Sequence, residues 1–207
     1  MKEIRLNLGC GPYAPRGWVN IDRSPSMVLD AIPGAKWALH RTVGLQPGHR
    51  VTWPRGIRRH DVTKGLPFPD RSVSAIYSSH ALEHLYLDDA KGLLRECHRV
   101  LSRGCILRLA LPDSTLLARR LVEGGTGLDF NIGLNAQPLE RPRLRGSLLA
   151  VAGASVHRWQ PTSDLVRDLL ADAGFRGITE LSYRVGSLPD LASVEHRAES
   201  MFVEATG

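Results

Sequence analysis

Lysine is scarce in this chain of 207 residues: four lysines leave 23 of the 27 basic residues as arginine. The net charge of +6 and pI near 9.6 invite a nucleic-acid partner. The arginines are scattered, however, and the densest group is only Arg55, Arg58 and Arg59. Aromatic residues make up 6%, with no aromatic-basic interleaving of the kind that stacks bases. A nucleic-acid surface is therefore not the expected function. Cysteine is rarer still: Cys10, Cys97 and Cys105 are an odd number without metal-like spacing, which reads as free thiols in a reducing cytoplasm. No apolar run approaches the roughly 20 residues of a membrane span, and Met1 to Arg5 do not open a signal peptide. There is no internal repeat.

What is present is an alternation. Short β-prone runs at 4–8, 18–21 and 73–77 precede a helical pattern over Asp88 to Leu101, with Gly104 as its stop signal. "CILRLALP" is the next strand and residues 114–122 the next helix. "QPTSDLVRDLLADAGF" is the clearest helix, capped by Thr162 or Ser163 and ended by Gly174. "GITELSYRV" and "ESMFVEAT" close the pattern. Two stretches interrupt it: 33–60, rich in proline and glycine, reads as a flap or a dimer contact, and 124–156 as a lid-like segment. Strands alternating with helices predict one α/β domain over 1–207 with a mainly parallel sheet.

In such sheets ligands lie beyond the carboxyl ends of the strands. Those ends hold Gly9 to Tyr13, Asp22, Asp61, Ser78 to His84 and Asp113. The turn "LNLGCGPYAPRGWVNID" satisfies G-x-G-x-x-(G/A), the dinucleotide fingerprint. A pyrophosphate, though, needs the N-terminus of a following helix. Only Pro12 to Gly17 separate Gly11 from the next strand, and two of those six residues are proline. No helix fits. A glycine turn with a ribose-gripping carboxylate, Asp22, and no phosphate cradle suits an adenosine ligand without phosphates, and S-adenosylmethionine is such a ligand.

"LNLGCGP", "GWVNID", "DVTKGLPFPDRSVSAIYSSHALEHL", "LLRECHRVLSRGCILRLALPD", "HRWQPTSDLVRDLLADAGF" and "ESMFVEA", in that order, resemble class I S-adenosylmethionine-dependent methyltransferases. The likeness is to small bacterial members of the type-11 kind, often associated with glycan and natural-product pathways. It implies a Rossmann-like fold with a seven-stranded sheet, an antiparallel last strand and a shortened first helix. It also implies roles. Gly9, Cys10, Gly11 and Pro12 form the turn beside the methionine part of the cofactor, and Asp22 binds ribose. Asp61 with Val62 reads the adenine amino group. Ser78, Ser79 and His80 lie beside the methionine carboxylate and the methyl. The missing helix after Gly11 departs from the family; Tyr13 is placed to cover the cofactor.

The absence of an N-P-P-Y-type sequence after the fourth strand argues against a nucleobase or amide nitrogen as acceptor. A hydroxyl of a sugar, glycan precursor or secondary metabolite is expected instead, with histidine as base. His157, His80 and His84 are the candidates. His80, Glu83 and His84 stand at i, i+3 and i+4, one face of a helix. The stretch is similar to the Glu-x-x-Glu-His of quinone-pathway O-methyltransferases, so Glu83 and His84 are also candidate ligands for a divalent cation. An RNA methyltransferase and a catalytically silent member of the same fold remain the alternatives.

Overall fold

A computed structural model of the chain describes residues 3–32, 34, 37, 52–136 and 156–207. The interrupting stretch at 33–60 therefore lies mostly outside the described residues, as does the later part of 124–156. Seven strands form one sheet in the order β3-β2-β1-β4-β5-β7-β6: β1 Arg5–Leu8, β2 Val19–Asp22, β3 Arg58–Arg59, β4 Val73–Ser79, β5 Leu101–Leu111, β6 Arg176–Leu181 and β7 Met201–Thr206. Pairing is parallel from β3 to β5 and antiparallel where β7 meets β5 and β6. This is the expected sheet, including the antiparallel last strand. No described helix is long and apolar enough to cross a membrane.

Among the described residues the helices are α1 Pro25–Ala31, α2 Leu87–Val100, α3 Ser114–Val122, α4 Gly127–Leu134, α5 Ser163–Asp172 and α6 Leu191–Val194. Three were not anticipated: α1, α4 and the single turn α6. α1 starts where the Ser24 hydroxyl accepts from Ser26 N and Pro25 takes the first turn. α4, inside a segment read as irregular, starts where Thr126 caps Asp129 N. Gly104 also differs from its expected role. The helix ends at Val100 and β5 begins at once, so Gly104 is no helix stop. It takes φ +73° in a bulge where β5 gains residues against β4.

Side chains of the central strands alternate between two faces. Leu107, Leu109 and Leu111 of β5, with Met201, Val203 and Ala205 of β7, pack under the buried stripes of α2 and α5. The opposite face has a smaller apolar cluster, including Trp18, Tyr77, Leu188, Val194 and Phe202. The crossover from β1 to β2 passes over it without a helix, anchored by Trp18. Beside that cluster β5 buries a charge. Arg108 Nε pairs with Glu195, Nη1 reaches Glu204 at 3.1 Å and the Val185 carbonyl at 2.9 Å, and Nη2 reaches the Ser182 carbonyl at 3.0 Å. This network ties the segment after β6 onto the sheet.

An ion cluster on α2 fastens the approach to β4. Glu96 accepts from Leu66 N at 2.8 Å and from Arg99 Nε at 2.7 Å, while Arg99 Nη1 also holds Asp70 at 2.6 Å. The Arg99 guanidinium holds the Glu96 pKa down at about 2. A carboxylate depressed on folding stabilises the protein above its unfolded value, and that contribution drains as pH falls through the folded one. Glu96→Gln should therefore lower Tm at neutral pH and flatten the fall of Tm between about pH 4.5 and 2. Equal slopes for both proteins in that window would refute this.

Candidate functional site

The carboxyl ends of β1 and β2 build the first half of the site. Gly9 turns with φ +64°, and a Cβ there would lie 2.4 Å from Ala81 Cβ, so only glycine lets the turn lie against the segment after β4. At Gly11 (φ +56°) a Cβ would meet nothing within 4 Å, so the backbone borders open space. Gly11 N donates to Asp22 Oδ2 at 2.8 Å and Ser24 N to Oδ1 at 2.6 Å. Each oxygen keeps acceptor capacity for a ribose hydroxyl. No helix follows the turn. These features fit an adenosyl ligand and not a pyrophosphate.

Two buried asparagines take the place of the absent helix as scaffold. Asn7 donates to Asn20 Oδ1 at 2.9 Å and to the Tyr13 carbonyl at 3.1 Å; Asn20 donates to the Pro15 and Trp18 carbonyls. Sequence reasoning gave neither a role, although a polar residue at the centre of each short apolar strand was the available signal. Pro12 lies on the turn that Tyr13 N closes onto the Cys10 carbonyl at 3.1 Å. The Tyr13 ring stacks on His196 at 4.6 Å. Burial pushes the Cys10 thiol up to about 12, which leaves no thiolate for chemistry.

Beyond β3, Asp61 caps the short 3-10 turn Val62–Lys64. Arg23 Nη1 binds its Oδ2 at 2.6 Å, and Thr63 Oγ1 its Oδ1 at 2.8 Å. Burial raises the Asp61 pKa, but the Thr63 and Arg23 bonds outweigh it and hold the group below its ordinary value. An open cleft of about 260 Å³ lies among Arg23, Arg59, His60 and Asp61. Val62 leans on the main core. An adenine amine reaching Asp61 would share the carboxylate with Arg23.

The carboxyl end of β4 builds the second half. Ser78 Oγ donates back to the Leu8 carbonyl at 3.1 Å, and so joins two strands, while Ser79 ends the strand. His80 sits in the left-handed region at φ +48°, a conformation costing a non-glycine residue about 1–3 kcal/mol. It is held there by its N–H to the Ala110 carbonyl (2.9 Å) and its Nε2 against Ser200 Oγ (2.8 Å). No α-helix puts His80, Glu83 and His84 on one face; a single 3-10 turn, Leu82–His84, follows instead. A left-handed residue at its start cannot continue a right-handed helix.

The three residues nonetheless converge, and His157 joins them. Glu83 is 0% exposed, and neither carboxylate oxygen has a hydrogen-bond partner. Its Oε1 lies 3.3 Å from His80 Nδ1 and 3.9 Å from His157 Nε2. The His84 and His157 rings are 5.1 Å apart, and His84 Nδ1 meets the Val156 carbonyl at 3.0 Å. Backbone bonds draw the two segments together: Arg158 N to the Glu83 carbonyl and His157 N to the Asn135 carbonyl, both at 2.8 Å. The His157 side chain is 9% exposed, and burial pushes its pKa below 6.5 against the pull of Glu83. Its ring is thus neutral at pH 7, as a proton acceptor or a metal ligand must be. Cluster and turn are neighbours, since Ala81 is the residue touching Gly9.

A family model described as a methyltransferase domain matches residues 6–109, just over half of the chain. No curated protein matches. Solved structures share the fold at low identity. A methyltransferase from Archaeoglobus fulgidus aligns with TM-score 0.54 and 12% identity over 99% of this chain and 86% of that one. A possible histamine N-methyltransferase from Thermotoga maritima gives 0.53 and 15% over 98% and 81%. A methyltransferase from Mesorhizobium loti gives 0.50 and 21% over 100% and 91%. The family match and the sheet order agree: the chain belongs to the class I S-adenosylmethionine-dependent methyltransferases.

Proposed function

We propose that this methyltransferase, a single cytoplasmic domain, methylates a hydroxyl oxygen of a sugar, glycan precursor or secondary metabolite. The observation that carries this reading is the buried, unpartnered Glu83 carboxylate among His80, His84 and His157, set against the cofactor turn. S-adenosylmethionine supplies a methyl group on a sulfonium, activated for in-line displacement. Gly9 to Gly11 and Asp22 would hold its methionine and ribose parts, with Asp61 and Val62 toward the adenine. A hydroxyl has a pKa far above 7, so its proton must be taken up as the new C–O bond forms. A nitrogen nucleophile that is already neutral needs no such machinery. His157, on the acceptor side, is the first choice for the proton, with Glu83 stabilising its charged form; His80 is the second.

The test is a panel of sugars, phenols and hydroxylated glycan precursors with methyl-labelled cofactor. Label recovered in a base-stable methyl ether is the expected result. Label recovered only on nitrogen, or only as a base-labile ester, would overturn the hydroxyl reading.

A further inference from the structure

Why would a protein bury a carboxylate and leave both oxygens without hydrogen bonds? A charge removed from water requires a compensating charge close by. The imidazoles around Glu83 make no hydrogen bond to it, His80 Nδ1 lying at 3.3 Å and His157 Nε2 at 3.9 Å. Their arrangement suits a different partner. The Val156 carbonyl can only accept, so His84 Nδ1 donates its proton there. That backbone bond is how ligating histidines are commonly fixed. His157 turns Nε2 toward Glu83 Oε1 at 3.9 Å. One potential ligand atom from each of Glu83, His84 and His157 lies within 4.8 Å of the others.

We propose that Glu83, His84 and His157 form a binding site for a zinc-type divalent cation, with the acceptor oxygen in its open fourth position. Two imidazoles and one carboxylate are a zinc donor set, whereas magnesium and calcium favour oxygen ligands. Bonds of about 2.0–2.2 Å in a tetrahedral site place ligand atoms roughly 3.3–3.5 Å apart. Closing from within 4.8 Å takes side-chain shifts of about an ångström. The cation neutralises Glu83 and lowers the pKa of an oxygen bound to it. With His157 committed as a ligand, the acceptor proton falls to His80, which lies outside the triad and is oriented by Ser200. The role of the fourth position rests on the hydroxyl reading; the metal site does not.

Chelator-stripped protein titrated with Zn²⁺ alone by calorimetry should take up one equivalent per chain. His157→Ala and Glu83→Gln should weaken that uptake at least about 100-fold, since loss of a mere supporting contact already costs 10–100-fold. If Glu83→Gln does not fold, His84→Ala takes its place. Binding of S-adenosylhomocysteine in the same samples reports an intact fold. Uptake unaffected by these substitutions would put the cation elsewhere and overturn the proposal. So would the absence of uptake in protein that still binds S-adenosylhomocysteine. Zinc uptake with the expected dependence, but no methylation of any hydroxyl, would keep the metal site and remove only the acceptor reading.

Discussion

His157→Ala is expected to lower kcat on a hydroxyl acceptor by about 10²–10⁴-fold, the usual contribution of a positioned proton acceptor. The affinity for S-adenosylhomocysteine should stay where it is. The separation follows from geometry. His157 approaches from the segment beside Asn135, and its ring lies beside Glu83, His84 and the Leu134 backbone, whereas the glycine turn is held by Asp22, Asn7 and Asn20. Asp22→Ala should show the reverse split. It removes a charge-assisted bond worth about 1.5–3 kcal/mol, or roughly 10- to 140-fold in affinity. The same loss is expected whether His157 takes a proton or holds a cation; sensitivity to a chelator distinguishes the two. Wild-type kcat in His157→Ala would remove both roles, leaving a catalyst that works by positioning. A parallel fall in cofactor affinity would instead mark His157 as a structural residue.

Arg108→Met should cost about 3–5 kcal/mol of stability, because removing the cation strands the buried carboxylates of Glu195 and Glu204. Glu204 has partial compensation, as Ser187 N and Leu188 N donate to it; Glu195 has less, chiefly Arg184 N at 2.6 Å. Adding Glu195→Gln to Arg108→Met should therefore recover part of the loss. Urea unfolding of the three proteins measures both effects. A single-variant loss under about 1 kcal/mol would mean that the carboxylates escape to water or protonate at little cost. The substitution should also loosen the site at a distance. The segment held by Arg108 leads into His196, which stacks on Tyr13, and Ser200, which holds His80.

Much of this architecture was legible because punctuation follows the strand ends. Glycine after Leu8 and proline after Leu111 mark where β1 and β5 stop, and the structure stops them there. The short crossover after Gly11 was readable from two prolines, and with it the choice of an adenosyl ligand over a dinucleotide. α4 escaped notice because its sequence GLDFNIGL has no apolar stripe and buries no residue, so periodicity had nothing to report. The cluster was half visible. His80, Glu83 and His84 were grouped through a helix that does not form, and the grouping survives because a left-handed residue and a 3-10 turn compress the same stretch. That His157 belongs with them, 74 residues after Glu83, is a tertiary fact held by backbone bonds that any sequence could make. Asn7 and Asn20 were legible in principle, since a buried asparagine must find partners.

The position of β7 bears on the order in which the molecule can assemble. Later in sequence than every other strand, it lies inside the sheet, between β5 and β6, and β6 is joined to the sheet through β7 alone. A growing chain that has completed β6 therefore presents β5 with a bare edge and β6 as a strand with no neighbour. Unpaired edges of this kind invite association between chains. The wait is long in sequence terms, since Leu111 of β5 pairs with Met201. Such non-local closures slow folding. His80 Nε2 meets the Ser200 hydroxyl only as this insertion completes, so the cluster around Glu83 ripens in the last act of folding and stays unformed in any chain that stalls before it.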